Sequence, residues 1–163
     1  MRFLTSAWHS GELTDEDEEA AVESYRKHLA VLRPRISAAV EQLAFSIDLH
    51  DALLEEVVLN CGDRVIVVRM ICGDVQLGYS TLQLAYRGVR WSDDDIAAIR
   101  TIVADPAAEV LCDEVDVVPG ELYEHRVLFW PYREMTVAFE ALEISSAPRQ
   151  GRHRPHAPRL VEE

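Results

Sequence analysis

Three apolar runs, Leu54 to Asn60, Arg64 to Cys72 and Val75 to Gly88, follow one another with only Cys61-Gly62-Asp63 and Gly73-Asp74 between them. The runs are rich in Val, Ile, Leu and Tyr, residues that suit a pleated surface. Links this short make hairpins, so three consecutive antiparallel strands are predicted. In the third run Leu82, Leu84 and Tyr86 alternate with Gln83, Ala85 and Arg87, the pattern of a strand with one wet face.

The rhythm on either side is different. Thr14-Asp15-Glu16-Asp17 reads as a capping box, and the acids Asp15 to Glu19 suit the positive end of a helix dipole. Val22, Tyr25, Leu29 and Leu32 then recur at helical spacing, Pro34 interrupts, and Ile36, Val40, Leu43 and Ile47 form a second stripe. Two helices, near 14–32 and 35–47, are predicted to pack as a pair. Ser92 caps a third, short helix whose inward face is Ile96, Ile99 and Ile102 or Val103, and Asp105-Pro106 stops it. Further strands are predicted at Val110–Val118, Leu122–Trp130 and Glu134–Ile144, with turns at Pro119-Gly120 and Pro131-Tyr132-Arg133. In the last strand the alternation of Met135, Val137 and Phe139 slips by one at Ala141–Leu142, as a β-bulge would make it. The order ααβββαβββ, with hairpin-linked strands and grouped helices, gives an α+β fold. A helical pair is expected on a largely antiparallel sheet of about six strands with one short inserted helix.

The apolar fraction of 48% in 163 residues excludes wholesale disorder and fits one domain able to fold without metal or disulfide. Acidic residues outnumber basic ones by 29 to 16, a net charge of −13, and the excess is uneven. Residues 147–163 hold Arg149, Arg152, Arg154 and Arg159 against two glutamates, which leaves −15 on residues 1–146. That balance argues against nucleic-acid backbones, whose contacts each need a cation, and for a basic protein partner. Residues 1–146 are expected to be a single acidic domain. Residues 147–163, with Pro148, Pro155 and Pro158 among Arg, His and Gly, are expected to be a flexible, extended basic tail.

Cys61, Cys72 and Cys112 are odd in number and carry no C-x-x-C spacing, which favours a reducing cytosol over a disulfide framework. The opening, Met1 to His9, has no apolar stretch of the length a signal peptide requires, and no run approaches a membrane span, since Arg69 interrupts the most apolar segment. A cytoplasmic protein with no membrane contact is expected.

Candidate sites are few, and each has an ordinary structural alternative. His50-Asp51 has the adjacent imidazole and carboxylate of metal-dependent phosphohydrolases, yet nothing else supplies their further ligands. The alternative makes Asp51 a turn residue between helix and sheet, and it is preferred. His125 lies in a predicted strand beside Asp113, Glu114 and Asp116 on its neighbour, a set able to bind a divalent ion or to act as acid and base. Alternation nevertheless puts His125 with Tyr123, Val127 and Phe129 and turns Glu124 to the opposite face, which favours a structural His and a solvated acidic strand. Trp91 before a helix cap and Trp130 before Pro131 stand where aromatic side chains either seal a core or form a protein contact. Cys61 stands in a turn, where Asp63 disfavours a thiolate and Arg64 partly offsets it. Nucleotide-binding, nucleophile-elbow and zinc-protease signatures are missing, and no cofactor is predicted.

Arg2-Phe3-Leu4-Thr5 with Trp8, the step Leu49-His50-Asp51-Ala52, and His125-Arg126-Val127-Leu128-Phe129 together resemble an uncharacterised bacterial family. That family has a Lys/Arg-aromatic-x-Thr-x-x-Trp opening and an L-H-D-A-like step. The resemblance covers about residues 1–145 and implies a bacterial cytosolic α+β domain, with no catalytic residues to carry over. In size, charge and class the chain is also similar to the small acidic immunity proteins of toxin systems. The function expected is a non-enzymatic protein-binding or accessory module, with an inhibitor of a basic toxin as its specific form. A small metal-dependent hydrolase using His50 and Asp51 is the alternative.

Overall fold

In the computed structural model, which describes residues 1–120 and 122–163, the chain is α+β, with helices on two sheets that share one core. A short helix α1 (Ser6–His9) precedes α2 (Asp15–Leu32), and Thr14 caps α2 by accepting from Asp17 N–H at 3.2 Å. Pro34 falls in a 3₁₀ turn, Arg33–Arg35, and Ile36 is extended. The next helix α3 (Ala38–Ser46) therefore starts three residues later than its apolar stripe predicts, at the point where Ser37 can cap it.

Strands β1 (Leu53–Asn60), β2 (Val65–Asp74) and β3 (Gly78–Arg87) form the expected antiparallel hairpins. The β2–β3 turn is longer than predicted. Asp74 Oδ1 accepts from the N–H groups of Gln76 and Leu77, both at 2.7 Å, and Gly73 has φ +103°. A Cβ on Gly73 would lie 2.1 Å from the Gly78 carbonyl oxygen, so only glycine fits there. Helix α4 (Asp93–Val103) opens on a complete Ser92/Asp95 capping box and buries Ile99, Ile102 and Val103. It crosses over to the meander β4 (Val110–Val118), β5 (Leu122–Phe129) and β6 (Arg133–Phe139).

Where one bulged strand was expected over 134–144, the chain instead changes sheet. Strand β6 ends at Phe139, Glu140 N–H donates to the Arg87 carbonyl at 2.9 Å, and β7 (Ala141–Arg149) pairs with β3. The inner faces of the two sheets point at the same core, so a chain that passes from one to the other reads as a phase slip. Residues 147–163 also differ from expectation. Residues 147–149 complete β7, and β8 (Arg159–Glu162) pairs in parallel with β1. Among the described residues eight strands result rather than about six: a five-stranded sheet in the order β7-β3-β2-β1-β8 and a three-stranded sheet β4-β5-β6.

One apolar cluster joins the two inner faces, from Val57, Val68 and Leu84 on the wide sheet to Val115, Val127 and Phe139 on the narrow one. Val40 and Leu43 of α3 and Ile99 and Ile102 of α4 extend it. Burial of each such side chain contributes about 1.5–3 kcal/mol. Among the described residues no helix is long and apolar enough to cross a membrane.

The outer face of the narrow sheet is covered by the first residues of the chain. Met1, Leu4 and Trp8 pack on Leu111, Cys112 and Leu128, while Phe3 stacks near Tyr25 and His28 of α2. The polar anchor is Glu114, only 1% exposed. Its Oε2 accepts from Arg2 N–H at 2.8 Å, and its Oε1 accepts from Phe3 N–H at 2.7 Å and Leu4 N–H at 2.5 Å. Three consecutive backbone donors thus converge on one carboxylate, an arrangement of charge-assisted bonds. Glu114→Ala would strand these donors and is expected to lower stability by about 3–5 kcal/mol in urea unfolding, with a smaller loss for Glu114→Gln.

Candidate functional site

The residues singled out from sequence separate into five places. Glu114 and Asp116 face outward from β4, where cross-strand pairing sets Glu114 opposite Arg126 and Asp116 opposite Glu124. Arg126 joins the three acids. Its guanidinium is bonded to Glu124, 3.5 Å from Glu114 and 3.8 Å from Asp116. Asp116 also meets His28 Nε2 at 2.8 Å and Arg2 at 3.4 Å, and Val115 N–H donates to the Tyr25 hydroxyl at 2.7 Å. Burial opposes ionisation of Asp116, but the bonds from His28 and Val117 N–H, with the charges of His28 and Arg126, outweigh it and hold its pKa below the usual carboxylate value. Burial also raises the Cys112 thiol to about 12, with help from Asp113 and Glu114, and the thiol donates to the Leu4 carbonyl at 3.3 Å. This face is a set of mutually satisfied charges that docks the first residues and α2.

Asp113 and His125 lie on the other side of the same strands, together with a residue that sequence reasoning did not single out. His125 is 0% exposed; its Nδ1 is 2.7 Å from the Tyr86 hydroxyl and its Nε2 is 3.0 Å from Asp113 Oδ2. A neutral imidazole satisfies all three groups if Tyr86 donates to Nδ1 and Nε2–H donates to Asp113. Burial, assisted by the charge of Asp113, pushes the Tyr86 phenol well above its ordinary pKa, which keeps it a donor. Tyr86 belongs to the wide sheet and His125 to the narrow one, so this chain of bonds ties the two together through the apolar core.

His50 and Asp51 join neither group. Both are exposed at the turn after Leu49, where His50 N–H donates to Asp48 Oδ1 at 2.9 Å and the His50 ring lies 3.2 Å from Asp51 Oδ1. Asp51 has φ +64°, and its N–H donates to the Val110 carbonyl at 2.9 Å. Val110 is five residues along β4 from Val115, the partner of His125, a separation of roughly 16 Å at the rise of a strand. Among the described residues, no three of His, Cys, Asp and Glu are grouped so as to hold a metal ion. Trp91 is half-buried against the main core. Trp130 is exposed, precedes a cis peptide bond to Pro131 and meets Tyr132 edge-on with centroids 5.5 Å apart.

A separate concavity lies between α1 and α2. A groove of about 590 Å³ is lined by Trp8, Val22, Glu18, Glu19, Glu23 and Arg26. Trp8 is fixed by its packing on Leu111, Cys112 and Leu128 and by Nε1–H donation to the Glu18 carbonyl at 3.3 Å. The sequence shows Glu18 and Glu19 among the partners of the helix dipole; what it does not show is that Trp8 folds back beside them and Glu23. The signal available was Trp8 standing six residues before the Thr14 cap, close enough for a short connection to return it to the helix.

Two outcomes test these networks. Tyr86→Phe leaves His125 Nδ1 unpaired in the core and is expected to cost about 1–3 kcal/mol in denaturant unfolding. Asp116 has a folded pKa below its unfolded value, so its contribution is complete above about pH 5 and is lost as the pH falls through the folded value, below about 3.9. Asp116→Asn should therefore remove part of the acid sensitivity of unfolding between about pH 2 and 4.

No family model matches the chain, and neither a curated protein nor a solved structure matches it.

Proposed function

We propose that the protein is a binding module for a cationic segment of another protein, which it seats in the groove between α1 and α2. The observation that carries this reading is the composition of the groove wall. Glu18, Glu19 and Glu23 line it with Arg26 around an apolar floor of Trp8 and Val22, and Glu23 also pairs with Lys27 at 3.5 Å. A lysine or arginine side chain placed there lays its alkyl stem on the floor, and its charge meets the carboxylates and the indole face. Glu12, Asp15, Glu16 and Asp17, all exposed, continue the negative surface toward the start of α2. The net charge of −13 adds long-range attraction for a basic partner. An inhibitor that covers a basic toxin is one protein that works in this way.

Titration of a short Lys/Arg-rich peptide by calorimetry at increasing NaCl is the direct measurement. Affinity is expected to fall steadily with salt. The double variant Glu19→Lys/Glu23→Lys should weaken it roughly tenfold, about 1.4 kcal/mol, whereas Asp93→Lys/Asp94→Lys on α4 should matter far less. Equal losses from the two double variants would mean that overall charge and not the groove is recognised, which sinks the reading.

A further inference from the structure

Strand β1 carries two adjacent glutamates, Glu55 and Glu56, in an otherwise apolar run. Leu54 pairs with Met70 and Glu56 with Arg69, so Glu55 is the extra residue of a bulge. The bulge lets Leu54, Val57 and Leu59 all stay in the core while both carboxylates share the outer face. Glu56, 6% exposed, is bonded by Arg69 of β2 and by Arg159 of β8 at 2.7 Å, and Arg69 also donates to Gln83 at 2.9 Å. Glu55 is bonded by Arg149 at 2.8 Å. Each carboxylate already has its cation.

The C-terminal segment brings one cation more. Arg149 pairs with Glu55, Arg152 with Glu109 at 2.8 Å and Arg159 with Glu56. Arg154 instead donates to the backbone carbonyls of Leu54 and Pro106, and among the described residues no carboxylate oxygen lies within 4.0 Å of its guanidinium nitrogens. Burial lowers its pKa and Glu55 offsets this only in part. A half-buried charge with no carboxylate in direct contact is an unfavourable arrangement that a bound anion would relieve. Arg154, Arg69, Arg159 and His156 surround a recess of about 90 Å³ whose remaining wall includes Glu55 and Glu56. Three guanidiniums against two carboxylates, with Arg149 behind Glu55, leave a local charge of +2 in a chain of −13.

We propose that this recess binds one tetrahedral oxyanion, as inorganic phosphate or as the phosphate group of a small phosphomonoester, with Arg154 as its principal donor and Arg69 and Arg159 flanking it. The recess of about 90 Å³ is several times the roughly 10–15 Å³ that a single water needs, so a small oxyanion can enter it. A guanidinium has five N–H donors in a planar fork, and Arg154 spends two on the carbonyls, so donors remain for phosphate oxygens. Arg154, His156 and Arg159 come from the C-terminal segment while Arg69 belongs to the sheet, so the anion would fasten β8 and the loop before it to β1 and β2.

The test uses the full chain in NaCl, with inorganic phosphate and then glycerol phosphate added at constant ionic strength. Phosphate at ten times its dissociation constant is expected to raise the thermal midpoint by about 3–6 °C and to slow hydrogen exchange in β8, with no such effect from extra chloride. Arg154→Gln should abolish the phosphate-dependent shift. Because that variant also removes two carbonyl bonds, Arg159→Gln serves as the second: Glu56 keeps Arg69, and phosphate affinity should drop about tenfold in calorimetry. Binding of glycerol phosphate assigns the site to esterified phosphate as well, and binding of the inorganic ion alone assigns it to the free anion. Equal midpoint shifts from phosphate and chloride, or undiminished phosphate binding in both variants, would overturn the proposal.

Discussion

Two sheets of unequal width bury their inner faces against each other, and every polar group caught between or beneath them has to find its partner inside the protein. That requirement explains the most specific contacts in the molecule. His125, in the core, is satisfied only because Tyr86 reaches it from the opposite sheet and Asp113 from the neighbouring strand. Glu114, beneath the first residues, is satisfied by three successive backbone donors. Neutral apolar packing would hold the two sheets together in many relative positions. A buried donor or acceptor left unpaired costs more than most single packing changes, so these bonds select one position.

Much of this architecture is legible in local patterns. The hairpin at Cys61-Gly62-Asp63, the Ser92 cap and the α+β order all depend on neighbours in sequence, and the structure contains them; the second hairpin turns at 75–77, after Gly73 and Asp74 have paired with β3. What was misread depends on residues far apart. The slip at Ala141 looks like a bulge because local alternation records only which side faces a core; it does not record which sheet supplies the strand. A bulge that the structure does contain, at Glu55, has a sequence trace in two consecutive glutamates flanked by apolar residues, but its meaning needs Arg149 and Arg159, about a hundred residues later.

The C-terminal segment shows the same limit from the side of composition. Few apolar residues and many arginines suggest a chain with nothing to bury, and for a neutral domain that inference would be sound. Here the segment returns to an acidic surface, so ion pairs with Glu55, Glu56 and Glu109 do what apolar side chains do elsewhere, while Pro158 and Leu160 supply modest packing. The candidate sites divide in a similar way. His50 and Asp51, adjacent in sequence, stay at an exposed turn, whereas the groove beside Trp8 exists only after α1 folds back on α2.

The parallel pairing of β8 with β1 has a kinetic meaning. Arg159 and Glu56 are separated by 103 positions, so their contact closes a long loop whose entropic cost must be met before its four-residue strand contributes anything. The hairpins and the meander assemble from nearby sequence and have no such delay. Strand β8 should therefore be the last piece to dock during folding and the first to peel away, and the outer edge of β1 spends its earliest moments as an open template for pairing.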